Sequence, residues 1–200
     1  MIGFFKDESA QGLIEFALIL PPLLLLLVFG LIEVGTALSD AMTMASASRE
    51  GARVASALVN GGGALGCSAG QSPNAATVDP NVIAAVERVL VGNGTRIVLA
   101  DVTQVRIAKA TAAGAETAGL INTWNYQLNG GPVIDGQQLD FVQASAPWQP
   151  CSRNNVAPAD SAVITVVYTY RARTPLRMLV PMFNQFTITD RTVMAMNANR

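Results

Sequence analysis

The sequence lacks histidine altogether and contains only two lysines and two cysteines among its 200 residues. Histidine is the usual general base and a common metal ligand, so its absence removes every Ser-His or Cys-His nucleophile pair. No spacing places Lys6 or Lys109 beside a nucleophile. The net charge is −1, without a face-sized basic cluster, which argues against a nucleic-acid partner. We therefore predict a protein that is not an enzyme and has no metal site or cofactor.

The two cysteines, Cys67 and Cys151, both lie downstream of a long apolar segment. An even pair in a chain with an export-type N-terminus favours one disulfide and an extracytoplasmic domain. The alternative is two reduced cysteines in the core. In the chain-entropy picture, a bridge closing a loop of this size contributes about 4 to 5 kcal/mol.

That apolar segment, QGLIEFALILPPLLLLLVFGLIEVGTAL, occupies residues 11–38 and follows a ten-residue head, residues 1–10. The 17 residues between Glu15 and Glu33 carry no charge. As a helix, a run of that length spans about 26 Å, close to the thickness of the bilayer hydrocarbon. We predict one transmembrane helix over residues 11–38, with Glu33 near the far interface and in reach of water.

Helical character is expected to continue through a stalk, residues 39–59, which has no proline and one glycine. Small residues recur there at four-residue spacing and predict close helix packing. They are Gly35, Ser39, Thr43, Ala47, Gly51 and Ala55. This stripe either receives a helix of a neighbouring subunit or docks onto the chain's own domain, and both can hold on different turns.

Residues 60–200 are predicted to form one small domain, because the glycines of NGGGALG at residues 60–66 end the helix. Asp79 as N-cap and Pro80 at the first helical position predict a short amphipathic helix. The β-branched segment RIVLADVTQVRIAKA predicts one strand or two. Residues 161–170 and 186–197 predict two neighbouring antiparallel strands, the second with Phe186, Ile188 and Val193 facing inward. The predicted fold class is α+β: a long N-terminal helix carrying a small antiparallel sheet with one extra helix.

Residues 110–160 give a weaker signal and are interpreted as an irregular insertion, within which TWNYQL favours a strand. Three aromatic residues, Trp124, Tyr126 and Trp148, either pin this segment to the core or bind a sugar or a protein partner. The connection RARTPLRMLVPMFNQ carries three arginines, which either lie in a solvated loop or meet an acidic partner or lipid headgroups.

The carboxylate of Glu15 lies one turn inside the predicted membrane helix, where a charge is costly by up to about 3 kcal/mol. A cut between Ala10 and Gln11 would create an ammonium group at Gln11. Glu15, at the fifth position after the cut, could then pair with that amine in its own chain or in a neighbouring subunit.

The pattern of a small residue, a cut, four residues, Glu, Phe and a long apolar helix resembles the N-terminus of type IV prepilins. It is most similar to the TadE-like pseudopilins of tight-adherence (Flp) pilus systems. ASREGARVAS at Ala47–Ser56 resembles the segment that follows the membrane helix in that family, and YTYRARTPL with FTITDRTVMAMN resembles the way its domain ends.

The resemblance implies that a separate prepilin peptidase cuts between Ala10 and Gln11. One departure is that prepilins usually have Gly, where this chain has Ala10. The resemblance also implies that Glu15 guides subunit docking with Phe16 packed beside it. Pro21 and Pro22 would loosen the helix by removing backbone hydrogen bonds.

The implied partners are the cytoplasmic membrane, other pilins or pseudopilins, and the Tad pilus assembly machinery. The chain would be a single-pass protein with its C-terminal domain outside the cytoplasm, and so a minor pilin or pseudopilin of the pilus or cell surface. A plain count of flanking charges does not favour that orientation, because Arg49 and Arg53 outnumber Lys6. One alternative is an uncleaved single-pass protein with an extracytoplasmic ligand-binding or adhesion domain. Secretion after a cut at Ala45–Ala47 is disfavoured, because that site lies far from the apolar run.

Overall fold

The computed structural model describes residues 8–58, 75–155, 157–179 and 184–196. It is an α+β fold in which a long N-terminal helix precedes an antiparallel sheet, as predicted. The helices are α1 Glu8–Ala57, α2 Ala75–Leu90 and the single-turn α3 Leu176–Leu179. The strands are β1 Val102–Ala110, β2 Glu116–Tyr126, β3 Val133–Ile134, β4 Gln137–Gln138, β5 Phe141–Ser145, β6 Ser161–Arg171 and β7 Gln185–Ala195.

Five of the strands form one sheet in the order β5-β2-β1-β6-β7, and β3 pairs with β4 in a separate small hairpin. The central strand β1 pairs antiparallel with both of its neighbours, so that Val105 stands opposite Trp124 on β2 and Val166 on β6. All three side chains are buried. The strand order places β7 next to β6, which confirms the prediction that these two strands are neighbours.

The chain divides into two compact units. One contains residues 1–38 with 171–185, and the other contains residues 39–170 with 186–200. In the first unit α1 is helical through Pro21 and Pro22. Almost every side chain from residue 12 to residue 32 is exposed. A helix that is apolar all round and uncovered by protein has the composition of a membrane span.

In the second unit the stalk part of α1 packs on the domain at Gly51. A Cβ atom on Gly51 would lie 2.5 Å from Cγ2 of Val86 on α2 and 3.2 Å from Cγ2 of Ile164 on β6. Only glycine allows this approach. The neighbouring small residues Ala47 and Ala55 are fully buried, so these turns of the stripe dock onto the chain's own domain.

The predicted start of α2 is wrong, because the helix already includes Ala75 and therefore contains Asp79 and Pro80 in its interior. Asp79 is not an N-cap but a buried side chain that is paired elsewhere in the domain. The apolar face predicted for α2 is buried, as Val82 and Ile83 illustrate with no exposed surface.

Residues 110–160 are less irregular than expected, because they supply β2 and β5 to the main sheet. Trp124 and Trp148 are 2% and 1% exposed, which favours the interpretation that they pin this segment to the core. In β7 the inward prediction is wrong for Phe186 and Val193, which are exposed, whereas Ile188 is half-buried. Alternation along β7 instead turns polar residues toward α1.

Candidate functional site

The predicted processing site lies at the start of α1, where Ala10 and Gln11 fall within the first helical turn described. Glu15 follows Gln11 by four residues, and helical geometry puts residues at that spacing on one face, about 5 to 6 Å apart at Cβ. The helix therefore brings the predicted new N-terminus and the Glu15 carboxylate to the same side of α1.

Glu15 and Phe16 are both exposed, Phe16 to 63%, among other exposed apolar side chains such as Leu13 and Ile14. Residues 15 and 16 are successive on a helix and so point about 100° apart. A partner that contacts both must therefore cover a broad face of α1 rather than a narrow stripe. The docking role of the two residues stays a prediction.

Pro21 and Pro22 stand in the middle of the exposed apolar segment. Neither supplies a backbone N–H, so the carbonyl groups of Ala17 and Leu18 lack their usual donors within the helix. This turn of α1 therefore lacks two backbone hydrogen bonds, so fewer bonds oppose stretching of the helix there. The loosening role of the two prolines stays a prediction.

Glu33, at the far end of the charge-free run, is the main departure from expectation in this part of the chain. Its side chain does not reach water but is 5% exposed. Its Oε1 accepts a hydrogen bond of 3.0 Å from the backbone N–H of Arg173, and its Oε2 accepts one of 3.1 Å from that of Thr174. The carboxylate therefore binds the start of the connection between β6 and β7 to α1.

A row of polar side chains on α1, which the sequence analysis missed, fastens the stalk to the sheet. Asp40, Ser48 and Ser56 recur at eight-residue spacing and are 1%, 0% and 4% exposed. The Tyr168 hydroxyl donates to Asp40, while Ser48 hydrogen-bonds two side chains of β7 and the Ser56 hydroxyl lies 3.2 Å from a β7 sulfur. The β7 residues involved are Asp190, Thr192 and Met194.

The small-residue stripe changes environment along α1. Gly35 and Ser39 are exposed, Thr43 is half-buried, and Ala47 and Gly51 are buried. A Cβ atom on Gly35 would meet no atom within 4 Å in the described structure. The exposed turns at Gly35 and Ser39 are thus the part of the stripe that is open to a second helix.

A buried cluster of polar side chains, the Asp79 cluster (Asp79, Asn122, Trp148 and Arg153), joins α2, β2 and the segment before β6. Arg153 is completely buried, and its Nη2 lies 2.7 Å from Oδ1 of Asp79, while its guanidinium stands 4.4 Å from the centre of the Trp148 ring. The Nδ2 atom of Asn122 donates to Asp79 at 2.7 Å and to the Trp148 carbonyl at 2.8 Å. These contacts hold the segment before β6 against α2 and β2.

A cleft of about 220 Å³ opens beside the Asp79 cluster. It is smaller than the usual small-molecule site of roughly 300 to 1,000 Å³, and the Asp79 carboxylate is already engaged by Arg153. The lining residues are Ala76, Asp79, Pro80, Gln143, Ala146, Gln149 and Pro150. Within the described ranges no group of three acidic or cysteine side chains could hold a metal ion.

Glu87 on α2 is a buried acid of the domain. Burial raises the pKa of its carboxyl group above the ordinary value of 4.5, although the backbone N–H of Asp140, which donates to it at 3.1 Å, opposes the rise. The carboxylate links α2 to the loop before β5 through this hydrogen bond.

Cys151 lies in the 3-10 turn Pro150–Ser152, two residues before Arg153 of the Asp79 cluster. Cys67 lies outside the described residues, so the disulfide between the two stays a prediction. If it forms, it would tie the same loop that the Asp79 cluster holds.

In a comparison with known protein families, residues 10–53 match the sequence model of the family described as TadE-like protein. The matched residues extend from Ala10 to Arg53 and so cover the predicted cut, the apolar run and most of the stalk. No curated protein and no solved structure matches the chain. With the exposed apolar helix, the family match indicates a membrane protein related to Tad pili.

Proposed function

We propose that this TadE-like protein is a non-catalytic minor pilin or pseudopilin that takes part in assembling a Tad-type pilus for surface attachment. It waits in the cytoplasmic membrane as a single-pass protein with its domain outside the cytoplasm. A prepilin peptidase removes residues 1–10, and the new N-terminus at Gln11 then enters the pilus with Glu15.

The observation that carries the proposal is the coincidence of the family match with the exposed apolar helix. The match begins at Ala10, the residue before the proposed cut. In the segment that follows, almost every side chain from residue 12 to residue 32 is exposed, and one exposed carboxylate, Glu15, lies close to its start. A charge held at that depth is costly, and a subunit-docking role through a neighbouring ammonium group accounts for it.

The first test is the intact mass and N-terminal sequence of the protein from native membranes, with and without the prepilin peptidase. We expect a start at Gln11 that depends on the peptidase. Ala10→Leu should block the cut, because the peptidase accepts a small residue there, whereas the matched change Ala17→Leu within the helix should not. A start at Met1 in both strains would contradict the processing step.

The docking role is tested by Glu15→Ala and Glu15→Gln in a strain that assembles pili. Both variants should insert into the membrane normally and reduce the number of pili at least about tenfold, the effect of losing one 1.4 kcal/mol ion pair. Glu50→Gln, at a half-buried position of the stalk where the carboxylate pairs with Arg53, is the control outside the apolar run and should leave piliation unchanged. Normal piliation in Glu15→Ala would refute the mechanism.

The second candidate is an uncleaved single-pass protein that presents a ligand-binding or adhesion domain. The cleft beside the Asp79 cluster is the feature that favours it. An intact Met1 in mature protein, together with a ligand-induced rise in the unfolding temperature that Gln143→Ala abolishes, would support this candidate over the first.

A further inference from the structure

We propose that the first part of the connection between β6 and β7, residues 172–179, is a second membrane contact that lies in the lipid headgroup layer beside Glu33, at the end of the charge-free run. This inference rests on the proposed membrane-spanning role of α1. It adds a lipid-binding surface to a domain that is otherwise expected to meet the membrane through the helix alone.

The first argument is the depth at which Glu33 holds this connection. Glu33 follows the charge-free run directly, and its two carboxylate oxygens accept hydrogen bonds from the backbone N–H groups of Arg173 and Thr174. Residues 171–185 accordingly form one compact unit with residues 1–38. If the charge-free run fills the hydrocarbon, the start of the connection lies at its boundary.

The second argument is distance along the chain. Arg177 and Met178 follow Thr174 by three and four residues, so an extended chain carries them at most about 11 to 14 Å from it. The interfacial layer on each side of the hydrocarbon is roughly 5 to 8 Å thick. The single turn of α3 therefore lies no more than about 14 Å from the hydrocarbon boundary, and it lies within the layer when the connection runs along the membrane surface.

The third argument is chemistry. Residues 171–185 contain three arginines and no acidic residue. Arg177 is exposed, and Met178 is 78% exposed, the largest exposed fraction among the large hydrophobic side chains of the described residues. A cationic guanidinium next to an exposed apolar side chain fits a surface of anionic phosphates over acyl chains. Solvent alone would leave the Met178 side chain uncovered.

The test uses the full-length protein in vesicles of phosphatidylcholine with one-quarter phosphatidylglycerol, at a low protein-to-lipid ratio. Met178→Trp adds one tryptophan to the buried Trp124 and Trp148, and lipids brominated on the acyl chain quench only tryptophans that reach the lipid. We expect strong quenching of Met178→Trp. Leu128→Trp is the matched control, because Leu128 is 66% exposed but lies in the other unit, and it should not be quenched.

Charge dependence is measured in the same way. Because one basic residue near an anionic surface is worth about a factor of five in binding, Arg177→Gln in the Met178→Trp background should lower the ratio of lipid-contacting to free states about fivefold. Arg191→Gln, on β7, should leave it unchanged. Equal quenching in vesicles of phosphatidylcholine alone would overturn the part of the proposal that assigns Arg177 to anionic headgroups.

A third tryptophan separates this inference from the proposed function. Leu24→Trp reports on the centre of the apolar run. Quenching of Leu24→Trp without quenching of Met178→Trp would overturn the lipid contact alone. Absence of quenching at both positions would overturn the membrane span and the contact together.

Discussion

Removing the carboxylate of the Asp79 cluster should destabilise the domain more than any surface change. In Asp79→Ala the guanidinium of Arg153, which is completely buried, loses the carboxylate that stands 2.7 Å away. Asn122 loses an acceptor in the same step. Breaking a buried pair by removing one partner costs about 3 to 5 kcal/mol, a large part of the 5 to 15 kcal/mol that is typical of a whole domain.

The assay is urea unfolding of the full-length protein in detergent, followed by tryptophan fluorescence, since Trp148 stacks on the Arg153 guanidinium. For a domain of about 140 residues, the same loss of free energy would appear in thermal unfolding as a fall in Tm of roughly 10 to 20 °C. Lys109→Met is the matched control. It breaks the Lys109–Asp160 pair, whose N–O distance is also 2.7 Å but whose lysine is 36% exposed, and it should cost less than about 1 kcal/mol.

A double substitution decides whether the cost comes from the stranded charge. Asp79→Ala with Arg153→Met removes both charges, so the pair no longer leaves a buried cation without a counterion. We expect the double variant to be at least about 2 kcal/mol more stable than Asp79→Ala alone. A loss below about 1 kcal/mol in Asp79→Ala, or strict additivity of the two substitutions, would refute the reasoning.

Two further predictions concern the helices that pack on the sheet. Gly51→Ala should destabilise the domain by about 1 to 2 kcal/mol, because the 2.5 Å approach of the new Cβ atom to Val86 outweighs the gain in helix propensity. In the same urea assay Gly35→Ala should not lower the free energy of unfolding. An unchanged stability of Gly51→Ala would contradict the packing. Glu87→Gln should flatten the pH dependence of Tm. The pKa of Glu87 in the folded protein is raised above 4.5. The stability that its protonated carboxyl group contributes is therefore fully present below that pH and is lost as the pH rises through the folded pKa. The glutamine keeps an acceptor for the Asp140 N–H, so the Tm of the variant should rise relative to that of the wild type as the pH increases through the raised pKa of Glu87. Parallel Tm curves would contradict the assignment.

Local sequence patterns were sufficient wherever burial follows one element's own periodicity. The apolar run, the apolar face of α2 and the alternation of Val105 and Ile107 in β1 all have this property. In β2 a local pattern was sufficient only for TWNY at the end of the strand, because the preceding ETAGLIN contains a glycine with φ of 79° and does not alternate between apolar and polar residues. Its hydrogen bonds are completed by β1, the strand just before it, and by β5, which follows only after the small β3–β4 hairpin.

The two kinds of contact made by α1 differ in whether any sequence could reveal them. Asp40, Ser48 and Ser56 lie on one face of α1, and the inward positions of β7 at Asp190 and Thr192 are also polar. Buried polar side chains need polar partners. A row of polar residues on α1 and another on β7 are therefore a detectable sign that the two elements face each other. Glu33 offers no such sign, because its donors are backbone N–H groups 140 and 141 residues away. Any residue except proline supplies such a donor, so the fold alone decides that this carboxylate is buried at the end of the apolar run.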